Sequence, residues 1–260
     1  MIDRQGQKWN REETILALDL YCRIPFSKIS SKNKDIIELA TLLGRSPNSV
    51  SLKLSNFASM DKKLQNRNIV GMKNRSKLDE EIYEEFDNSW GELSFESQKI
   101  RAQYSNQPLD SILTEDDAIP LPPGLNKEQV IKIRIGQNFF RNTVISSYEN
   151  KCCITGIHNP QLLIASHIKP WSVSAESDER TNPRNGLCLN ALHDKAFDKG
   201  LLTITTDYHI IISDKLVKSE MDEKTKSWIL SYKDKIINLP KKFLPSKEFI
   251  EYHNDMIFQR

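Results

Sequence analysis

Residues 182–204 read NPRNGLCLNALHDKAFDKGLLTI, and the order of signals inside this stretch sets the expected fold of the second half of the chain. An Asn185-Gly186 pair closes a polar loop and Leu187 to Leu189 is a short apolar run. Ala191 to Asp198 then has helix-like apolar spacing, and Leu201 to Thr205 begins a hairpin that Ile210 to Ile212 would complete. Strand, short helix and hairpin in so few residues point to a small α+β unit. Upstream, Leu162 to Ile168 is a second apolar run that could pair with Cys152 to Gly156, turning around His158-Asn159-Pro160. Before it, Asn126 with Gln129 three residues on makes a capping-box start for a helix reaching about Asn150, with Val130, Ile133, Phe140 and Val144 as inward candidates.

Three polar residues punctuate this pattern. His167 ends an apolar strand, Asn185 follows a polar loop and His193 opens a short helix, at separations of 18 and 8 residues. Hydrolysis of a phosphodiester needs a base with a pKa near neutrality, and histidine is the side chain that supplies one unperturbed. It also needs a cation to offset the charge that grows on the phosphate and the leaving oxygen. An asparagine can fix the loop around the base through backbone groups without competing for the proton.

At these residues the chain resembles the HNH endonucleases, and within them a subgroup found in many restriction-type nucleases. The resemblance rests on CCITG at 152–156, ASHIKPW at 165–171, the 182–204 stretch above, and RIGQNFFR at 134–141, and it extends to LPSKEF at 244–249 and YHNDMIF at 252–258. It implies a ββα unit that grips one divalent metal. Carried over by motif, His167 is the general base, Asn185 fixes the loop, and His193 and Asp194 supply the metal ligand from the helix, with His193 favoured by alignment on the letter H. Many members place an acidic or histidine ligand directly before the base, where this chain has Ser166. Phe197 is expected in the core and Asp198 behind the site. Mg²⁺ or Mn²⁺ suits such oxygen-rich sites, and a histidine ligand also admits Ni²⁺ or Zn²⁺. His158, His209 and His253 have no comparable context and are expected at surface or turn positions.

The first half reads differently. Apolar residues recur at helical spacing over 8–60, and 78–103 offers further helices. In DIIELATLLGRSPNSVSLKLSNF, Ala40, Gly44 and Val50 have helix-turn-helix spacing, and Pro47 suits an early helical position. Arg45, Asn48, Ser49, Ser51 and Lys53 would then reach bases or phosphates, and Arg134 and Arg141, seven apart on one helix face, could clamp a phosphate. The expected architecture is α+β, with a helical, helix-turn-helix-like DNA-recognition domain over 1–102, a Pro-rich and acidic linker over 103–126, and a ββα-metal HNH nuclease domain over 127–260.

Charge supports that division. The net +2 splits into +8 over residues 1–78, −10 over 79–118 and +4 over 119–260, so the basic charge is concentrated where a polyanion would be met. Cys22, Cys152, Cys153 and Cys188 form no paired C-x-x-C units, which favours reduced, partly buried thiols over a disulfide framework or zinc ribbon. The amino terminus lacks the apolar run of a secretion signal and no stretch approaches the roughly 18 apolar residues of a membrane span, so the cytoplasm is the expected compartment. The sequence thus suggests a restriction or phage-defence endonuclease acting on double-stranded DNA, expected as a homodimer because a double-strand break needs two active sites. A nicking, homing-type or modification-dependent nuclease would share the chemistry. A DNA-binding regulator that keeps the fold without activity is the reading from another class, motivated by Ser166.

Overall fold

The computed structural model describes residues 4–60, 76–109, 124–176 and 178–260. The front of the chain is helical: α1 (Arg11–Arg23), α2 (Lys34–Leu43), α3 (Pro47–Ala58), α4 (Lys77–Phe86) and α5 (Trp90–Ser105). Helix α1 starts at a reciprocal capping box, in which the Glu13 amide donates to Asn10 Oδ1 at 2.9 Å and the Asn10 amide donates to Glu13 Oε2 at 3.0 Å. Every residue from Glu13 to Cys22 is buried, so α1 is the central rod around which the others pack. Helix α2 stops at Gly44, whose φ of 65° is the left-handed conformation that glycine adopts without penalty. Ser46 then caps α3 with Pro47 in its first turn, as the sequence implies.

The long helix α6 (Lys127–Ser147) begins at the expected Asn126–Gln129 capping box and ends three residues before Asn150. Its two neighbouring phenylalanines face different cores. Phe139 joins the front core, stacking on Trp90 at 6.4 Å, while Phe140 belongs to the second core with Val144, Leu187, Leu189, Phe197 and Ile250. That second core is covered by β1 (Leu163–His167), β2 (Gly186–Asn190), α7 (Ala191–Asp198), β3 (Leu202–Ile204), β4 (Ile210–Ile212), α8 (Asp214–Val217), α9 (Glu223–Leu230) and α10 (Lys247–Met256). The class is α+β, helix-rich with two small antiparallel sheets, β1–β2 and β3–β4. The β3–β4 hairpin is the one read from the sequence.

Two expectations need correction. Cys152 to Gly156 is not a strand paired with β1. It curls on itself, with the Gly156 amide donating to the Cys152 carbonyl and the Cys152 amide to Ile157, and β1 pairs instead with β2 in the register Leu163↔Asn190 to His167↔Gly186. The turn buries both adjacent cysteines in the second core. His253 is no surface residue either. It is 1% exposed, stacked on Phe197 at 3.8 Å and bonded between Thr203 and the Phe197 carbonyl. All four cysteines are free and buried.

The two cores are joined through specific bonds. The Lys242 ammonium, fully buried, donates to the carbonyls of Tyr21, Cys22 and Ile24 at 2.6, 2.8 and 2.6 Å, which satisfies the end of α1 where helix carbonyls lack internal partners. Ser146 on α6 donates to the Cys22 carbonyl and Arg184 pairs with Asp87 at 2.7 Å. Most of the expected linker, 110–123, lies outside the described residues. No helix among the described residues is long and apolar enough to cross a membrane.

Candidate active site

The strand pair β1–β2 brings Ser166 and His167 beside the start of α7. His167, at the end of β1, stacks face to face on Phe140 of α6 with ring centroids 3.8 Å apart and meets the edge of Trp171 at 5.7 Å. Its Nε2 lies 3.0 Å from the Arg180 carbonyl. A carbonyl only accepts, so Nε2 carries the proton and Nδ1 keeps its lone pair. Burial pushes the pKa down to about 4 against the pull of that carbonyl, so the neutral, proton-accepting form prevails at pH 7.

Asn185 is fully buried, and its side chain bonds the loop that follows β1. Its Oδ1 accepts from the Lys169 amide at 2.8 Å, and its Nδ2 donates toward the carbonyls of Lys169 and Glu179 and the Ser174 hydroxyl at 3.1, 3.3 and 3.4 Å. One side chain therefore ties both ends of the 169–179 loop to the start of β2. The loop is held again by Lys169, whose ammonium pairs with Glu179, and by Glu179 accepting from the Ala175 amide. Sequence reasoning did not single out Glu179 or Arg180. They lie in a polar, turn-rich stretch with no periodicity, and a role played by a main-chain carbonyl leaves no mark in residue type.

The helix ligand candidates separate. His193 is 3% exposed and turns inward, its Nδ1 at 3.1 Å from Asn190 Oδ1 and its ring against Trp228 and Tyr232 at 5.3 and 5.6 Å. Asn190 also caps α7 through the amides of Leu192 and His193, so this histidine and its partner form a helix-starting unit. Asp194 stands beside the Ser166 hydroxyl, with Asp198 one helical turn on. Burial chiefly, and the Asp198 charge next, raise the Asp194 pKa to about 6, against the lowering pull of Ser166 and Lys195. A carboxylate crowded in this way fits a hard divalent cation, which takes one or two carboxylates and completes its shell with water and phosphate oxygens. Asp194, with Asp198 in support, would hold it next to the base, although no group of three or more His, Cys, Asp or Glu side chains comes together among the described residues.

Two expected DNA contacts are redirected. Arg45 and Lys53 are 7% and 5% exposed. Arg45 bonds Glu13 at 2.7 Å and the carbonyls of Gln7 and Lys8 at 3.1 Å, while Lys53 pairs with Asp79, and both cations flank the Trp9 ring at 4.4 and 4.6 Å. They hold the front core together, Lys53 from the face of α3 turned away from exposed Asn48 and Arg45 from the turn just before that helix. Asn48 is exposed and Ser49 half-buried at the start of α3. Arg134 bonds Gln137 on its own helix, and Arg141 donates to the Leu163 carbonyl, bracing β1 against α6.

Part of the chain is similar to known proteins. The sequence model of the HNH endonucleases matches residues 152–205, the span from the cysteine turn through β3. A solved structure, the modification-dependent TagI restriction endonuclease, is similar over 45% of this chain and 37% of that one, at 17% identity and a TM-score of 0.32. This chain thus spans little more than a third of that structure's length. No curated protein matches. The segment 152–205, which takes in His167, Asn185 and Asp194, is thus similar to the HNH endonucleases.

Proposed function

We propose that this protein is a metal-dependent endodeoxyribonuclease of a restriction or phage-defence system, with His167 as general base. The observation that carries the reading is the Nε2–H bond from His167 to the Arg180 carbonyl, which leaves Nδ1 unprotonated at the end of a strand that packs against the helix carrying Asp194. Nδ1 takes a proton from water as the water oxygen bonds to phosphorus, and the opposite P–O bond breaks with the departing oxygen protonated by solvent. When bound, a divalent cation, Mg²⁺ or Mn²⁺ before Ni²⁺ or Zn²⁺, offsets charge on the phosphate and the leaving oxygen. Asp194, more than His193, is the residue that would hold it, with Ser166 beside it in place of the usual ligand. Asn185 keeps the loop, and hence the Arg180 carbonyl, in position.

In this reading the helical region, residues 1–102, selects double-stranded DNA through Asn48, Ser49 and their neighbours on α3, the region 127–260 cuts, and a cytoplasmic homodimer makes the two breaks. Ser166 favours one second reading, a regulator that binds DNA without cutting it. Incubation of plasmid with the protein and each of Mg²⁺, Mn²⁺ and Ni²⁺ separates the two, on unmodified and base-modified DNA. Metal-dependent cleavage that His167→Ala abolishes supports the nuclease; binding without cleavage under all conditions supports the regulator.

A further inference from the structure

The carbonyl that orients His167 belongs to Arg180, and the next residue, Thr181, is seated in a slot between two helices. A Cβ added at Gly91 of α5 would lie 3.2 Å from Thr181 Oγ1, and one added at Gly136 of α6 would lie 2.9 Å from Thr181 Cγ2. A methyl at Gly136 would force Thr181 Cγ2 to move, and one at Gly91 would leave its hydroxyl a few tenths of an ångström too close. Thr181 is 7% exposed, and its hydroxyl has no hydrogen-bond partner among the described residues, so it is held by shape. Further along the same loop, Arg184 pairs with Asp87 just before α5, and Pro183 is buried. Close-packed atoms transmit displacement, and Thr181 is a single peptide unit from the carbonyl that holds the base.

We infer that Thr181 is a positioning residue, which, wedged between Gly91 and Gly136, fixes the Arg180 carbonyl and through it the ring orientation of His167, so that the seating of α5 against α6 governs the base. The inference rests on the reading of His167 as general base. It goes beyond that reading because it makes the helical front of the chain part of the catalytic geometry. A shift of α5 relative to α6, as when the front region engages a partner, would move Thr181 and with it the base.

The test uses the full chain labelled with ¹⁵N-histidine, with the His167 ring signals assigned by their loss in His167→Gln. In the wild type these signals report a fixed Nε2–H tautomer. Gly136→Ala drives its new methyl into Thr181 Cγ2 and is expected to displace both signals. Thr181→Ser in the same background removes that methyl and is expected to return them. The same Ser change is expected not to relieve Gly91→Ala, which meets the retained hydroxyl. Should Gly136→Ala fail to fold, Thr181→Ala, which only removes atoms, is expected to let the ring nitrogens average between tautomers. Unchanged His167 signals in folded Gly136→Ala or Thr181→Ala, or no return on Thr181→Ser, would overturn the proposal. Single-turnover cleavage with saturating enzyme in excess over DNA is the second readout, with a rate constant about 10- to 100-fold lower at unchanged DNA affinity expected for Gly136→Ala and recovery in the double variant. A wild type that cuts no DNA defeats the nuclease reading, while the ring signals still decide the positioning claim.

Discussion

Replacing Lys242 by methionine isolates the bond that ties the two cores together. Methionine keeps an unbranched chain of similar length and removes all three donors. The Cys22 carbonyl still accepts from Ser146, but those of Tyr21 and Ile24 lose the ammonium. Two buried carbonyls left unpaired cost about 1–3 kcal/mol each, partly offset because methionine needs no desolvation, so a net loss of about 3 kcal/mol at pH 7 is expected. The pH dependence is the sharper part. Burial lowers the Lys242 pKa from 10.5 to about 7, so between those values the unfolded chain holds a proton that the folded protein has released. Stability contributed by this site therefore rises with pH through that window, by about 1.4 kcal/mol per unit for one proton, and the methionine variant lacks the rise. Because the folded lysine is already about half deprotonated at pH 7, urea unfolding of both proteins at pH 7 and pH 9 under reducing conditions should show the gap between them widening by roughly 2 kcal/mol. Titration of the buried thiols is common to both and cancels to first order. A gap that stays constant or narrows toward pH 9 would refute the assignment of Lys242 as a desolvated lysine.

His253 gives the acid counterpart. Burial lowers its pKa to about 4, so the unfolded chain takes up the proton first as pH falls below 6.5, and up to about 3 kcal/mol of stability is lost between pH 6.5 and 4. His253→Gln should lessen the pH slope of the urea midpoint over that range, leaving the part that His167 and His193, lowered in the same way, contribute, and an unchanged slope would contradict the site's neutral state. In the front core, Arg45→Met removes one of the two arginines on buried Glu13, leaving Arg4 and the Asn10 amide, and should cost about 1–3 kcal/mol in urea unfolding, with DNA affinity unchanged in the molecules that remain folded. Asn48→Asp on the exposed start of α3 should do the reverse, weakening DNA binding most at low salt while shifting stability by less than about 0.5 kcal/mol.

How much could be read in advance depended on whether a feature has a local cause. Capping boxes did, and α6 begins at Asn126 as the residues require. Gly44 and Pro47 likewise mark the α2–α3 turn. Strand partners did not. An apolar run such as Leu162 to Ile168 declares a strand without naming its neighbour, so the nearer Cys152 segment looked as good a partner as the more distant Leu187. For the site, the sequence orders His167, Asn185 and the His193-Asp194 pair, but it does not tell that His193 turns inward while Asp194 stands by Ser166. The choice depends on how α7 is rotated, and that is set by Asn190, Trp228 and Tyr232 around His193. Charge was misleading at Arg45 and Lys53 because a net charge counts cations without seeing that Glu13 and Asp79 are buried against them.

The central claim is that His167, held by the Arg180 carbonyl, activates water beside a metal carried by Asp194. Cleavage of supercoiled plasmid by the full chain in Mg²⁺ and Mn²⁺, compared among wild type, His167→Ala and Asp194→Asn, tests it most directly, with metal binding followed separately by thermal shift. The account predicts cleavage by the wild type only, a metal-induced rise in Tm that persists in His167→Ala, and its loss in Asp194→Asn. Cleavage that survives His167→Ala at the wild-type rate, or a metal response that survives Asp194→Asn and disappears in His193→Ala, would contradict it.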